Sequence, residues 1–312
     1  MKAMQVDETP KGATLHFAQV PQPAPGKADV LIRVYAAGVI ATELQWEPTT
    51  QTKTGAKRSN AIPSHEFCGI IAAKGEDANS FKIGQEVYGM NDWYADGALA
   101  EFCLTQPSSI APKPSTLTEE EAATVPISAL TAWQGLFDRA RLQPKEKILI
   151  HGGSGGVGSF AVQLAHRHGA YVIATVSTKN ISLVKQLGAD EVIDYKTSHF
   201  QDLVHDVDVV FDTVGGKSRD LSWSILKPRG RMVTIVSDPP SDDPRTKESF
   251  FIVEPNQKQL VEIGKLLDVG SLKTFVNAVL SLEDATKAYT NQVPNERGYG
   301  KVVITIGGDD QS

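Results

Sequence analysis

Cysteine is nearly absent: Cys68 and Cys103 are the two in 312 residues. Two thiols cannot build a four-cysteine structural zinc lobe or a disulfide framework, and in a long chain of cytosolic character they are expected to be reduced and structural. Long apolar runs are missing as well. No stretch approaches the roughly eighteen uninterrupted apolar residues of a membrane span, and the amino-terminal MKAMQVDETPKG has no apolar run of the signal-peptide kind, so a cytoplasmic location without a membrane partner is expected. Positive charge is also short: 31 Lys and Arg stand against 37 Asp and Glu, and the formal net charge is −6. With the basic residues scattered, no stripe exists for a phosphate backbone, and nucleic acid is excluded as an expected partner.

What is present is ordinary for a folded soluble protein, 41% hydrophobic and 22% charged. A chain of 312 residues exceeds what one hydrophobic core usually organises, so more than one domain is expected. Up to about residue 117 the pattern is one of short strands broken by Gly and Pro, at 30–38, 67–75, 86–90 and 98–104. The segment 113–137 changes character, because Ser115 or Thr118 can cap a helix whose first turn carries Glu119, Glu120 and Glu121, and Pro126 should restart it. After Pro144 short Val- and Ile-rich runs alternate with helical stretches, the pattern of a parallel sheet covered on both faces. Beyond Pro255 come a helix (257–268), a strand (274–280), a helix (282–291) and a final strand, KVVITI. The Pro-rich acidic tract 238–249 reads as a mobile surface loop.

The segment KILIHGGSGGVG contains Gly153-x-Gly155-x-x-Gly158 directly after an apolar run and at the head of an amphipathic helix whose apolar stripe is Val157, Phe160, Ala161, Leu164 and Ala165. In that context the glycines provide a tight turn, close approach of a pyrophosphate and close helix packing, while the helix start offers N–H donors to an anion. The second apolar run ends at Val176 and is followed by Ser177, Thr178 and Lys179, where an NAD site would place an acid for the ribose hydroxyls. Hydroxyls and an amine can instead donate to a 2′-phosphate, so NADP(H) is the cofactor expected.

HGGSGGVGSFAVQLAHRHGAYVIAT, QLGADEVIDY, VVFDTVGG and LKPRGRMVTIVS, together with IPSHEFCGII, KIGQEVYGM, DGALAEF and the closing GKVVITI, resemble the medium-chain dehydrogenase/reductase superfamily, and within it the quinone oxidoreductase (zeta-crystallin-like) branch. The resemblance implies an α/β protein: a GroES-like, β-rich catalytic domain over 1–123, a Rossmann doubly wound parallel-sheet domain over 124–255, and a segment, 256–312, that returns to the catalytic domain. It implies that Ser154, Gly155, Gly156 and Val157 meet the pyrophosphate and that Ser177 and Lys179 face the 2′-phosphate. Tyr195 would lie beside the adenosine, Gly215 and Gly216 along the nucleotide, and Ile235, Val236 and Ser237 near the nicotinamide. Thr131, resembling a hydroxyl residue near the nicotinamide end, and Lys301, resembling the basic residue of the terminal Gly-Lys-Val, complete the implied set. A homodimer is implied by the same analogy.

Two departures from the family pattern bear on chemistry. Zinc-dependent members carry ligands where this chain has Ile40 and Ser128, and His65 alone is retained; one imidazole does not make a catalytic zinc site, which needs three protein ligands. The stretch after Gly38 also lacks the Asn and Tyr common in quinone reductases, having Ile40 and Gln45 there, so no proton donor transfers by position. Thr42 and Tyr94 are the candidates, with Trp46 and Trp93 as possible pocket walls. The expected activity is zinc-independent, NADPH-dependent hydride transfer to a small quinone or α,β-unsaturated carbonyl. A zinc-type alcohol dehydrogenase and a non-catalytic NADPH-binding sensor or structural protein are the alternatives.

Overall fold

A computed structural model describes residues 1–9, 12–237, 240–290, 292–293 and 297–306. The chain opens on a hairpin absent from the sequence expectation: β1 (Lys2–Thr9) and β2 (Gly12–Gln19) pair antiparallel from Lys2↔Gln19 to Thr9↔Gly12. Ala3, Met4 and Val6 are buried, and the adjacent pair Ala3-Met4 breaks the strict alternation that announces a strand. Then follow β3 (Val30–Gly38), α1 (Glu47–Thr50), β4 (Glu66–Lys74), β5 (Glu86–Met90), β6 (Phe102–Thr105), β7 (Ile110–Pro112) and α2 (Glu119–Ala123). Strand β3 is paired on both edges, with β4 on one side and β6 on the other, and is apolar and buried along nearly its whole length. Of the two caps offered by the sequence, Thr118 is used: it forms a full capping box with Glu121.

The middle of the chain is regular: α3 (Pro126–Trp133), a wider π-helical turn at Gln134–Arg139, β8 (Lys147–His151), α4 (Gly156–Arg167), β9 (Tyr171–Val176), α5 (Ile181–Gln186), β10 (Glu191–Asp194), α6 (Phe200–Leu203), β11 (Val207–Asp212), α7 (Gly216–Leu221), β12 (Leu226–Thr234) and α8 (Pro244–Ser249). Its strands form one parallel sheet in the order β10-β9-β8-β11-β12. That is a doubly wound sheet whose order reverses beside β8, the topological position at which such sheets bind ligands. The tract expected to be a mobile loop is ordered over its second half, since Asp243 caps α8 by accepting from Arg245 N–H and Pro244 fits its first turn. The Asp-Pro pair was a helix start and not a turn; Asp238 and Pro239, at the head of that tract, lie outside the described residues.

The last part holds α9 (Gln257–Asp268), capped by Asn256, then β13 (Val276–Ser281), α10 (Ala285–Tyr289) and β14 (Lys301–Thr305). The expected helix over 282–291 is thus shorter, and Asn291 lies outside the described residues. Strand β14 pairs parallel with β13 and antiparallel with β3, giving a seven-stranded sheet ordered β13-β14-β3-β4-β5-β7 with β6 also on β3. The chain forms two compact units: Met1–Ile127 with Pro255–Ser312, and Ser128–Glu254. In the first, an apolar core joins residues of the hairpin, β3, β4 and α10, so the carboxyl-terminal segment is part of that unit's interior.

Candidate cofactor and active site

The glycine loop separates what the fold requires from what a ligand requires. A Cβ on Gly158 would lie 2.1 Å from the Gly152 carbonyl oxygen, and one on Gly153 would lie 2.9 Å from the Ala174 Cβ. Both positions therefore need glycine for packing alone. Gly155 differs: it is exposed, its φ of −73° suits any residue, and a Cβ there would meet only the Gly152 oxygen at 3.3 Å. That contact is tight but would be relieved by a shift of a few tenths of an ångström, so packing constrains this position less than Gly153 or Gly158, and its bare backbone sits as N-cap of the 12-residue α4. Gly156 and Val157 follow in the first turn, whose N–H groups have no partner within the helix. The Ser154 hydroxyl is held by the Asn180 side-chain amide at 2.9 Å.

At the end of β9, Ser177 is largely buried, whereas Thr178 and Lys179 are exposed. The acid that this strand end lacks is found one strand away. Thr178 donates its hydroxyl to Asp194 Oδ2 at 2.5 Å, and this bond, reinforced by the Lys196 N–H, holds the Asp194 carboxyl below its usual range. Tyr195 follows, 60% exposed, its N–H bonded to the Val176 carbonyl.

The other side of the sheet crest is a polar row buried beneath the loops. Asp212, fully buried, accepts from the N–H groups of Val214 and Gly215 and from the Thr234 hydroxyl. This fixes the turn in which Gly215 and Gly216 adopt φ of 77° and 56°. His151 bonds Thr175 through Nδ1 at 3.0 Å and Ser222 through Nε2 at 2.8 Å, and burial pushes its imidazole down to about 4 against the opposing pull of Asp212. Because the Ser222 hydroxyl donates onward to the Ser218 carbonyl, it accepts from Nε2–H; the ring is the neutral Nε2–H tautomer. Beyond β12, Ile235 and Val236 are half-buried and Ser237 is exposed, and Arg219 donates to the Val236 carbonyl at 3.0 Å. Thr131 is buried within α3.

In the first unit, Thr42 is exposed and precedes the short turn of Glu43–Gln45. Glu43 is fully buried: its Oε1 accepts from the Ser64 N–H at 2.8 Å and from His65 Nδ1. His65 Nε2 lies 3.3 Å from the Ala95 carbonyl oxygen. The Trp93 ring stands 5.2 Å from His65 and 5.5 Å from Trp46, which draws the turns bearing Thr42 and Tyr94 together. Tyr94 is half-buried with the Lys53 ammonium 5.6 Å from its ring. Lys301 is half-buried, its ammonium against Glu66 Oε1; loss of solvent around that ammonium pushes it down to about 7, against the pull of Glu43. Glu43, Glu66, Asn180, Asp212 and Arg219 were not singled out from the sequence. A charged residue inside an apolar strand end, as in VFDTVGG, was the one available signal.

The profile of the alcohol dehydrogenase GroES-like domain matches residues 26–115, and that of the zinc-binding dehydrogenase matches residues 187–304. A probable zinc-binding oxidoreductase, mitochondrial, from Arthroderma benhamiae is 32% identical over 96% of both chains, and the chloroplastic quinone-oxidoreductase QR1 of Triphysaria versicolor is 31% identical over 97% of this chain and 98% of that one. The structure of the quinone oxidoreductase from Coxiella burnetii superimposes with a TM-score of 0.86 at 29% identity, covering 98% of this chain and 99% of that one. The chain belongs to the medium-chain dehydrogenase/reductase superfamily, in its quinone oxidoreductase branch.

Members of this superfamily bind a nicotinamide cofactor, and the bare backbone at Gly155 before a helix N-terminus fits its pyrophosphate. As a member the chain is an oxidoreductase acting on a small molecule. The zinc of the profile's name fits these residues poorly. Both ring nitrogens of His65 already face oxygen atoms, and no group of three His, Cys, Asp or Glu side chains suited to a metal ion is gathered among the described residues. No helix is long and apolar enough to cross a membrane.

Proposed function

We propose that the chain is a zinc-independent, NADPH-dependent reductase that delivers a hydride to a quinone or to the β-carbon of an α,β-unsaturated carbonyl. The observation that carries this reading is Gly155, an exposed glycine at the N-cap of α4 that packing constrains less than its neighbours Gly153 and Gly158 and whose bare backbone would admit a pyrophosphate. Ser154, Gly155, Gly156 and Val157 would hold that pyrophosphate, Ser177 and Lys179 the 2′-phosphate, and Tyr195 the adenosine. Gly215 and Gly216 would line the nucleotide, with Ile235, Val236 and Ser237 at the nicotinamide and Thr131 and Lys301 completing the set by family likeness.

When bound, the reduced cofactor supplies two electrons as hydride. The protein's part is to orient the acceptor, exclude water and offer donors to the oxygen on which charge develops. The proton that completes reduction would come from Thr42, Tyr94 or water. Zinc independence is supported by Ile40 and Ser128 at the ligand positions and by the engagement of both His65 nitrogens. A cytoplasmic setting is supported by the two free buried thiols, and a homodimer by family likeness alone. NADPH oxidation against a panel of quinones and enones, with metal analysis of the purified protein, tests the reading. Turnover without stoichiometric zinc is expected. Binding of NADPH with no acceptor reduced would replace the enzyme by a sensor, and chelator-sensitive activity with bound zinc would overturn the metal-free mechanism.

A further inference from the structure

Arg219 is the bulkiest fully buried side chain among the described residues. Burying a guanidinium costs several kcal/mol, about what a good set of partners returns, so its placement calls for a reason. Its Nε donates to Asp220 Oδ1 at 3.1 Å and its Nη1 to the Val236 carbonyl at 3.0 Å. Asp220 Oδ1 in turn accepts from the Ser241 hydroxyl at 2.7 Å. Helix α7 thus grips the chain leaving β12 at two points, directly at Val236 and through Asp220 at Ser241. From below, the Thr234 hydroxyl donates to Asp212 at 2.7 Å and accepts from the Val236 N–H at 3.1 Å. The two peptide groups flanking Val236 are therefore both fixed, the one before it by Thr234 and the one after it by Arg219.

The position of this clamp gives it meaning. In a doubly wound sheet the dinucleotide lies across the carboxyl ends of the strands, with the pyrophosphate at the glycine loop after the first strand and the adenosine ribose at the end of the second. Here those are β8 and β9, so the other nucleoside extends over the ends of β11 and β12, where residues 235–237 lie. We propose that Arg219 is a positioning residue for the nicotinamide half of the cofactor, setting the backbone of residues 235–237 against which the ring lies. The inference rests on the nicotinamide-dependent reading above.

The test compares wild type with Arg219→Gln, Arg219→Lys and Asp220→Asn, measuring binding of NADPH and of 2′,5′-ADP, kcat, and which C4 hydrogen of stereospecifically deuterated NADPH is transferred. In Arg219→Gln, affinity for 2′,5′-ADP should stay within about twofold while kcat falls roughly a hundredfold, the scale of a one-ångström misplacement, and transfer from the wrong face of the ring appears. Arg219→Lys should recover part of kcat, and Asp220→Asn, altering an exposed residue, should lose severalfold without unfolding. If Arg219→Gln does not fold, Asp220→Asn decides. Equal losses for 2′,5′-ADP and NADPH, or unchanged kcat and stereochemistry in a folded variant, would overturn the inference. Failure of the wild type to bind NADPH would instead remove the function on which it rests.

Discussion

Lys301 and Glu66, 235 positions apart in sequence, meet as a buried ion pair that fastens the last strand, β14, to the start of β4. The other Glu66 oxygen accepts from the Ile127 N–H at 2.9 Å, and a Cβ on Gly38 would fall 2.6 Å from the carboxylate, so this strand end is shaped around the pair. Removing one partner leaves a charge buried without compensation. Lys301→Met should therefore cost about 3 to 5 kcal/mol, and Lys301→Met with Glu66→Gln should recover most of it, because Gln can still accept from Ile127. Urea unfolding of the two variants checks this; a double variant no better than the single would show that the pair is not the source of the loss.

The glycine loop makes a second, sharper comparison. Gly158→Ala forces a methyl into the Gly152 carbonyl at 2.1 Å and should lower the melting temperature by several degrees, an effect of roughly 2 kcal/mol. Gly155→Ala needs a shift of only a few tenths of an ångström from the Gly152 carbonyl and should cost clearly less in melting temperature than Gly158→Ala, yet lose NADPH affinity about tenfold or more, since the methyl occupies the approach of the pyrophosphate. Melting curves with and without NADPH measure both effects. Equal destabilisation by the two substitutions would mean that Gly155 is also a packing glycine.

The division between what the sequence disclosed and what it hid follows from the physics of each signal. The parallel sheet was legible because strands covered on both faces are uninterrupted apolar runs, and the loop because glycines between an apolar run and an amphipathic helix have few other uses. The hairpin β1–β2 was not, because Lys2, Gln5 and Asp7 interrupt its apolar set, nor was α8, because Asp243-Pro244 suits a turn and a helix start equally. Least legible were the buried charges. Arg219 and Glu43 read as solvated residues in sequence, and their roles exist only once Val236 and His65 are brought to them in space.

His151 ties the glycine loop's strand to Thr175 and Ser222, and its imidazole, ordinarily near 6.5, is pushed down to about 4 by burial. Between those values the unfolded chain binds the proton and the folded one does not. Stability from this residue is therefore complete above about 6.5, falls as the pH drops through the window, and levels off below about 4, a total of about 3 kcal/mol. Unfolding free energies at pH 7.5 and 5 in wild type and His151→Gln read it out. The variant should be less stable at pH 7.5 but lose less on acidification; parallel pH dependences would assign the acid sensitivity to other groups.

Cofactor choice is the closing prediction, and it turns on the end of β9. Lys179 is exposed there, Ser177 is largely buried, and Thr178 already donates to Asp194, so the positive charge at this strand end is carried by an exposed side chain long enough to reach a 2′-phosphate. A charge-assisted hydrogen bond is worth about 1.5 to 3 kcal/mol, so Lys179→Ala should weaken NADPH roughly ten- to a hundredfold and leave NADH nearly unchanged. Lys179→Glu should go further, because a carboxylate beside Asp194 would repel the phosphate, whereas Ser177→Ala should have the smaller effect given its burial. Titrating both cofactors into the wild type and these variants distinguishes the outcomes. Parallel losses for NADPH and NADH would make Lys179 a structural residue, and a wild type indifferent to the 2′-phosphate would return Asp194 to the ribose-binding role that the end of β9 leaves vacant.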